Sequence, residues 1–436
     1  MSAAANNIPP KWMMLERFVS RRDDDESFPD ESKAPIRTSG ATSWNAPFRF
    51  AFKLAEPPEI SRLYAQLPGF GGDPRRQLLS ILSTHQHLAL FRVGKISVDG
   101  ELPVQDLFIF SASDPCSIKL LPHCTLPILD VHTRCDGRQS RHRPTLPLPE
   151  KRVMSVACMG LLCEGEKFVV AEAKLLVSGR NRSEVHADIF WLRSSDCKWK
   201  SVRTPIVSRD STKDFRWQTY TVIPVGNWLC WIDYYNGILF GDFHESTPTL
   251  TLVRLPLESP PTDLRIVGSC WMYRSVSAID ADSRLKFIKV DRDDCIWYGP
   301  LKEDAGFTIT CHTLSVKDKV WEEDYTVTSE ELWSANSPEV LPHDILMFPQ
   351  VNIDRPHVVH FLIIGESKYL MKKMWVVTID MKTKRVESFR QYIKGREDHG
   401  TEDADLAEEK SYCPLPFLTC EFPKFLHLSR KRKNMD

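Results

Sequence analysis

The feature that most constrains this chain is an order of four apolar segments that recurs along it. Five stretches share one form: an apolar run, a turn rich in Asp, Ser, Thr, Pro or Lys, and a second run that alternates. They are DLFIFSASDPCSIKLLP from Asp106, ADIFWLRSSDCKWKSVRTP from Ala187, GILFGDFHESTPTLTLVRLPL from Gly237, FTITCHTLSVKDKVWEEDYTV from Phe307 and KMWVVTIDMKTKRVESFRQY from Lys373. Polar turn residues between β-branched and aromatic runs read as hairpins. A further strand-like run precedes each hairpin, beginning at His87, Lys167, Trp228, Leu285 and His357. Ahead of those lies a fourth, beginning at Leu78, Val153, Thr219, Tyr273 and Ile345. Thirty prolines against nineteen glycines break long helices and suit short elements joined by turns.

The inner runs are nearly continuous in apolar residues, as in sheets covered on both faces, whereas the last run of each unit alternates like an outer edge. The fold class expected is therefore all-β: a β-propeller-like ring of about six four-stranded blades. The sixth blade is assembled from both chain termini, with KWMMLERFV from Lys11, FRFAFKLAEPPEISRLYAQLP from Phe48 and YCPLPFLTCEFPKFL from Tyr412. Joining the ends would remove exposed sheet edges. The alternative architecture is two β-rich domains. The expected division is a disordered segment 1–10, a single ring domain 11–426 with loops at 20–46, 130–151 and 394–411, and a basic tail 427–436.

Charge excludes little else. Lys plus Arg (57) nearly cancels Asp plus Glu (58), so nothing points to nucleic acid or a membrane surface as partner. The N-terminus lacks a basic region followed by an apolar one, and no apolar run approaches the ~18 residues of a membrane span. An intracellular setting, cytoplasmic or nuclear, follows, in which the twelve cysteines act as small buried hydrophobes. Arg430, Lys431, Arg432 and Lys433 form a candidate nuclear-localisation patch, although a charged terminus needs no such role.

Motifs for chemistry are few. The glycine-rich phosphate loops, the nucleophile elbow and the zinc-protease helix are all missing, so no catalytic or cofactor residues are assigned. Cys116, His123, Cys124, His132, Cys135 and His142 are donors that suit zinc, but no two of these cysteines lie two to four residues apart, and no metal is expected. Asp233, set among aromatics in WLCWIDYY, is the acid best placed for a raised pKa. The simpler role is to bond backbone amides in the turn toward Asn236 and Gly237.

Three stretches resemble a plant family, expanded in grasses, whose shared region is called domain of unknown function 1618. They are VGNWLCWIDYYNGILFGD at 225–242, WEEDYTVTSEELW at 321–333, and FPQVNIDRPHVVHFLII at 348–364 followed by MWVVTIDMKTKRVES at 374–388. The resemblance implies no activity and carries no site residues. The expected function is thus a non-enzymatic protein-interaction module that binds a protein partner through propeller loops. The alternative is a hydrolase acting on a small molecule or sugar at the ring centre. Three or more Asp, Glu or His side chains there would favour the hydrolase, and a lining of Leu, Val and Thr the binder.

Overall fold

The computed structural model describes residues 10–426 apart from 69, 71–78, 96–103, 127–151, 179–183, 208–216, 258–269, 282, 295, 297–298, 366–372, 399, 402 and 413–415. The expected loop 130–151, the first nine residues and the basic tail lie outside the described residues.

Sheet dominates. The N-terminal strands are β1 (Met13–Arg21), β2 (Ile36–Ala41), β3 (Pro47–Lys53) and β4 (Ile60–Gln66). Next, β5 (Leu79–His85), β6 (Leu88–Lys95), β7 (Val104–Ser111) and β8 (Asp114–Leu120) form an antiparallel four-stranded sheet in chain order. Two further four-strand runs follow: β9 (Met159–Glu164), β10 (Lys167–Ser178), β11 (Glu184–Arg193) and β12 (Trp199–Val207), then β13 (Thr221–Val225), β14 (Trp228–Asp233), β15 (Gly237–Asp242) and β16 (Thr249–Arg254). A short parallel pairing of β12 with β16, Ile206 opposite Leu250, fuses them into one eight-stranded sheet. The last two sheets are β17 (Arg274–Ile279), β18 (Arg284–Arg292), β19 (Phe307–Ser315) and β20 (Val320–Thr328), and β21 (Met347–Val351), β22 (Val358–Ile364), β23 (Met374–Asp380) and β24 (Arg385–Ile393).

The strands lie where hydrophobic patterning places them. The inner β14 and β15 are buried almost throughout, and Trp231 is fully covered. The outer β20, VWEEDYTVT, is mostly exposed. Side chains from facing sheets interlock into several cores, the largest joining Met347, Phe361 and Val377 to Ile288, Ile309 and Trp12.

The first strands of the sheets are neighbours in space. β5 packs against β9, β9 against β13, β13 against β17, and β17 against β21. Both chain ends share one sheet, in the order β2-β3-β4-β1-β25, where β25 is Leu418–Cys420. Met13 lies opposite Cys420 in antiparallel pairing, and β25 also packs against β5. On the other side, the Gln350 side chain of β21 donates to Thr419 Oγ1 at 2.8 Å, and Trp12 faces the His360 ring at 6.0 Å.

Four expectations need correction. Residues 20–46 are not wholly a loop, because β2 pairs along β3, with Ile36 and Thr38 buried on its inner face. Its Arg37 and Ser39 are the ordinary polar outer face of an edge strand. The chain-end sheet has five strands, and β1 runs parallel to β4. The acidic segment 394–411 contains a helix, α2 (Ala404–Tyr412), which buries Leu406, Ala407 and Lys410. The outer edge of β12 is not free, since β16 pairs with it. A second helix, α1 (Ser329–Ala335), starts with a capping box in which Thr328 and Glu331 bond each other's backbone N–H.

Candidate functional site

Residues of β5, β13, β17 and β21, with others of β1 and β25, line a cavity of about 240 Å³. Ser83, Thr84 and His85 of β5 contribute to its wall, as do Ser275 and Ser277 of β17 and Gln350 of β21. It meets the surface near the turns after β17 and β21, where Asp280, Ala281 and Asp354 are exposed.

Arg17 lines this cavity from β1. Between Leu15 and Val19 the pairing with β4 slips, so three residues, Glu16 to Phe18, stand opposite the single Arg62. A bulge of this kind re-aims side chains. Glu16 is turned into the protein, 1% exposed, where it accepts from Lys410 Nζ at 2.9 Å, from Phe18 N–H at 3.0 Å and from the Tyr392 hydroxyl. Arg17 has neither ion pair nor hydrogen bond among the described residues; burial lowers its pKa, against the opposing pull of Tyr234 and Glu16. The hydroxyls of Ser83 and Ser275 are also buried without a partner.

Acids and histidine are present in the number set for an enzyme: His85, Asp280, Asp354 and Glu421. Their engagement differs from that of a catalytic set. His85 is 5% exposed and its Nδ1 accepts the Cys163 N–H at 2.8 Å. Glu421 is ion-paired to Lys424, and Asp280 faces Arg284 at 3.4 Å on the surface. Asp354 is exposed in the turn after β21. Val222, Ile279 and Leu418 fill the wall between them.

The other candidates resolve into structural roles. Asp233 is 1% exposed and caps its turn: Oδ1 accepts from Tyr235 N–H at 2.8 Å and Asn236 N–H at 3.2 Å, while Oδ2 accepts from Gln218 N–H at 2.7 Å. Burial raises its pKa against those hydrogen bonds. Of the zinc-type donors, His123 lies 2.6 Å from the buried carboxylate of Asp106, Cys124 is buried, and Cys116 is exposed. His132, Cys135 and His142 lie outside the described residues, as do Arg430, Lys431, Arg432 and Lys433. Asp106 also accepts from Ser43 Oγ at 2.9 Å and Ser43 N–H at 2.6 Å. The serine hydroxyl thus bonds the carboxylate and not the imidazole, so this trio ties the β2–β3 turn to the next sheet and does not activate a nucleophile.

The patterning of the sequence missed Arg17. The available signal was weak: a charged pair, Glu16–Arg17, inside an otherwise apolar strand.

The chain is thus mostly β-sheet, with a cavity lined by both apolar and polar side chains. Residues 231–360 match the model of the family described as "Protein of unknown function (DUF1618)", in agreement with the resemblance read from the sequence. That match runs from β14 to β22. No curated protein matches the chain by sequence. Among solved structures, a GH32 beta-fructofuranosidase from Bombyx mori is 8% identical with a TM-score of 0.28, covering 72% of this chain and 59% of its own. An alpha-L-arabinofuranosidase from Fusarium graminearum is 8% identical with a TM-score of 0.27, covering 85% and 99%. A GDP-Man-dependent mannosyltransferase from Leishmania mexicana is 9% identical with a TM-score of 0.21, covering 72% and 84%. Likenesses this distant bring no chemistry to the cavity. No helix among the described residues is long and apolar enough to cross a membrane.

Proposed function

We propose that the chain is a closed ring of six blades acting as a non-enzymatic interaction module that binds a protein partner through its loops. Three features support the ring: five consecutive four-strand runs, first strands that neighbour one another in chain order, and a sheet shared by both ends. A rigid scaffold that presents turns around a central opening suits recognition. Buried, unbridged Cys163, Cys230, Cys311 and Cys420 fit an intracellular setting.

The observation that carries the non-enzymatic reading is the state of the acids around the cavity. A glycosidase needs two carboxylates facing each other across the scissile bond, about 5–10 Å apart, one of them kept protonated. Here Glu421 and Asp280 have basic partners and Asp354 stands in solvent. The hydrolase is the second reading, favoured by the number of these groups alone.

Purified protein incubated with aryl glycosides and aryl esters should give no turnover above buffer. Turnover abolished by Asp354→Asn would overturn the reading. For the partner, capture by wild type is compared with capture by a variant whose turns at 86, 280–281 and 353–354 are replaced. Identical partner lists would argue against recognition through those turns.

A further inference from the structure

We infer that the central cavity is a binding site for a single carboxylate group, held by Arg17. Arg17 is delivered to the cavity by the bulge in β1, and among the described residues its guanidinium has no ion pair or hydrogen bond, with Tyr234 and Glu16 acting on it only through their charge. A guanidinium turned toward a cavity without a hydrogen-bond partner is costly, and the oxygens of a ligand carboxylate would relieve it.

The chemistry of the wall narrows the ligand. One guanidinium supplies one positive charge, matched to a monoanion, and its planar fork suits the two oxygens of a carboxylate. A phosphate dianion would bring a second charge toward a mouth that already carries Asp280 and Asp354. Val222, Ile279, Phe417 and Leu418 provide apolar wall for the remainder of the acid. About 240 Å³ lies just below the ~300–1,000 Å³ of sites for drug-sized ligands, so the group is small. The carboxylate could belong to a free acid or to the C-terminus of a peptide. The site deepens the interaction reading, because a partner's terminal carboxylate is one of these two sources.

Calorimetry with benzoate and hexanoate tests the free acid, with benzamide, hexanamide and inorganic phosphate as controls. An acetylated tetrapeptide with a free C-terminus, compared with its amide, tests the peptide source. At least one carboxylate should bind saturably, with its amide and phosphate silent. Arg17→Met should weaken that binding by at least about tenfold. Arg17→Met should also unfold at no lower a temperature than wild type, because it breaks no native pair. Silence toward every carboxylate, equal binding of the amides, or a marked loss of stability in Arg17→Met would overturn the site. Mass spectrometry of the bound probe separates the two proposals. A chemically altered probe would sink the non-enzymatic reading and leave the site standing, whereas an unaltered but unbound probe would do the reverse.

Discussion

Lys410→Met asks whether the C-terminal helix is locked to the chain-end sheet by charge. Lys410 and Glu16 are each 1% exposed and 2.9 Å apart, joining α2 to β1. Methionine keeps most of the lysine stem, while the ammonium, which also lies 5.2 Å from the centre of the Phe417 ring, is lost. Glu16 keeps two neutral donors, Phe18 N–H and the Tyr392 hydroxyl. Burial and the Glu16 charge together raise the Tyr392 pKa, consistent with a phenol that stays protonated and donates. Removing one partner of a buried pair costs about 3–5 kcal/mol, because the other charge is left uncompensated. Glu16→Leu should cost a similar amount. The double variant Glu16→Leu/Lys410→Met should fall within about 1–2 kcal/mol of wild type, since hydrophobic replacement of a whole buried pair is often neutral. Urea unfolding followed by tryptophan fluorescence gives the three stabilities, and hydrogen exchange locates the loss. In the single variants, β1 and β25 should exchange faster while β18 and β19 are unchanged. Single variants that each cost under about 1 kcal/mol, or a double variant as unstable as their sum, would refute the argument.

Three further outcomes follow from other parts of the fold. Burial, aided by the Arg355 charge, holds the His360 imidazole at about 4. Below the unfolded value of about 6.5 the unfolded chain takes up a proton that the folded chain refuses, so stability present above pH 6.5 falls by up to about 1.4 kcal/mol per pH unit between 6.5 and 4. Urea titrations across that range should show a shallower decline in His360→Leu, and an unchanged slope would remove His360 as the cause. Asp233→Ala should cost about 1–3 kcal/mol in chemical denaturation, by orphaning the N–H groups of Gln218, Tyr235 and Asn236. Gly237→Ala should cost more than about 1 kcal/mol, since its φ is +152° and a Cβ would run into the Val253 carbonyl oxygen; a neutral outcome would mean the β14–β15 turn can rearrange.

The sequence by itself determined the type, place and order of most strands, because alternation and turn chemistry are local properties. WLCWID and GILFGD read as paired strands, and Asp233 as the acid that bonds their turn, from the consecutive residues 228–242. It also contained the capping box of α1, readable as Thr328 followed three residues later by Glu331. What tertiary structure alone decided was which polar residues are covered. IRTSGA becomes β2 only because β3 offers it an edge, and the acidic segment becomes a helix only because β1 takes Lys410. Glu16 and Arg17 show the limit most clearly. They are adjacent in sequence and look like a solvated pair, yet a bulge sends one to a lysine 394 positions away and leaves the other lining the cavity. Burial of a charge depends on what the rest of the chain brings beside it, and no local pattern carries that information.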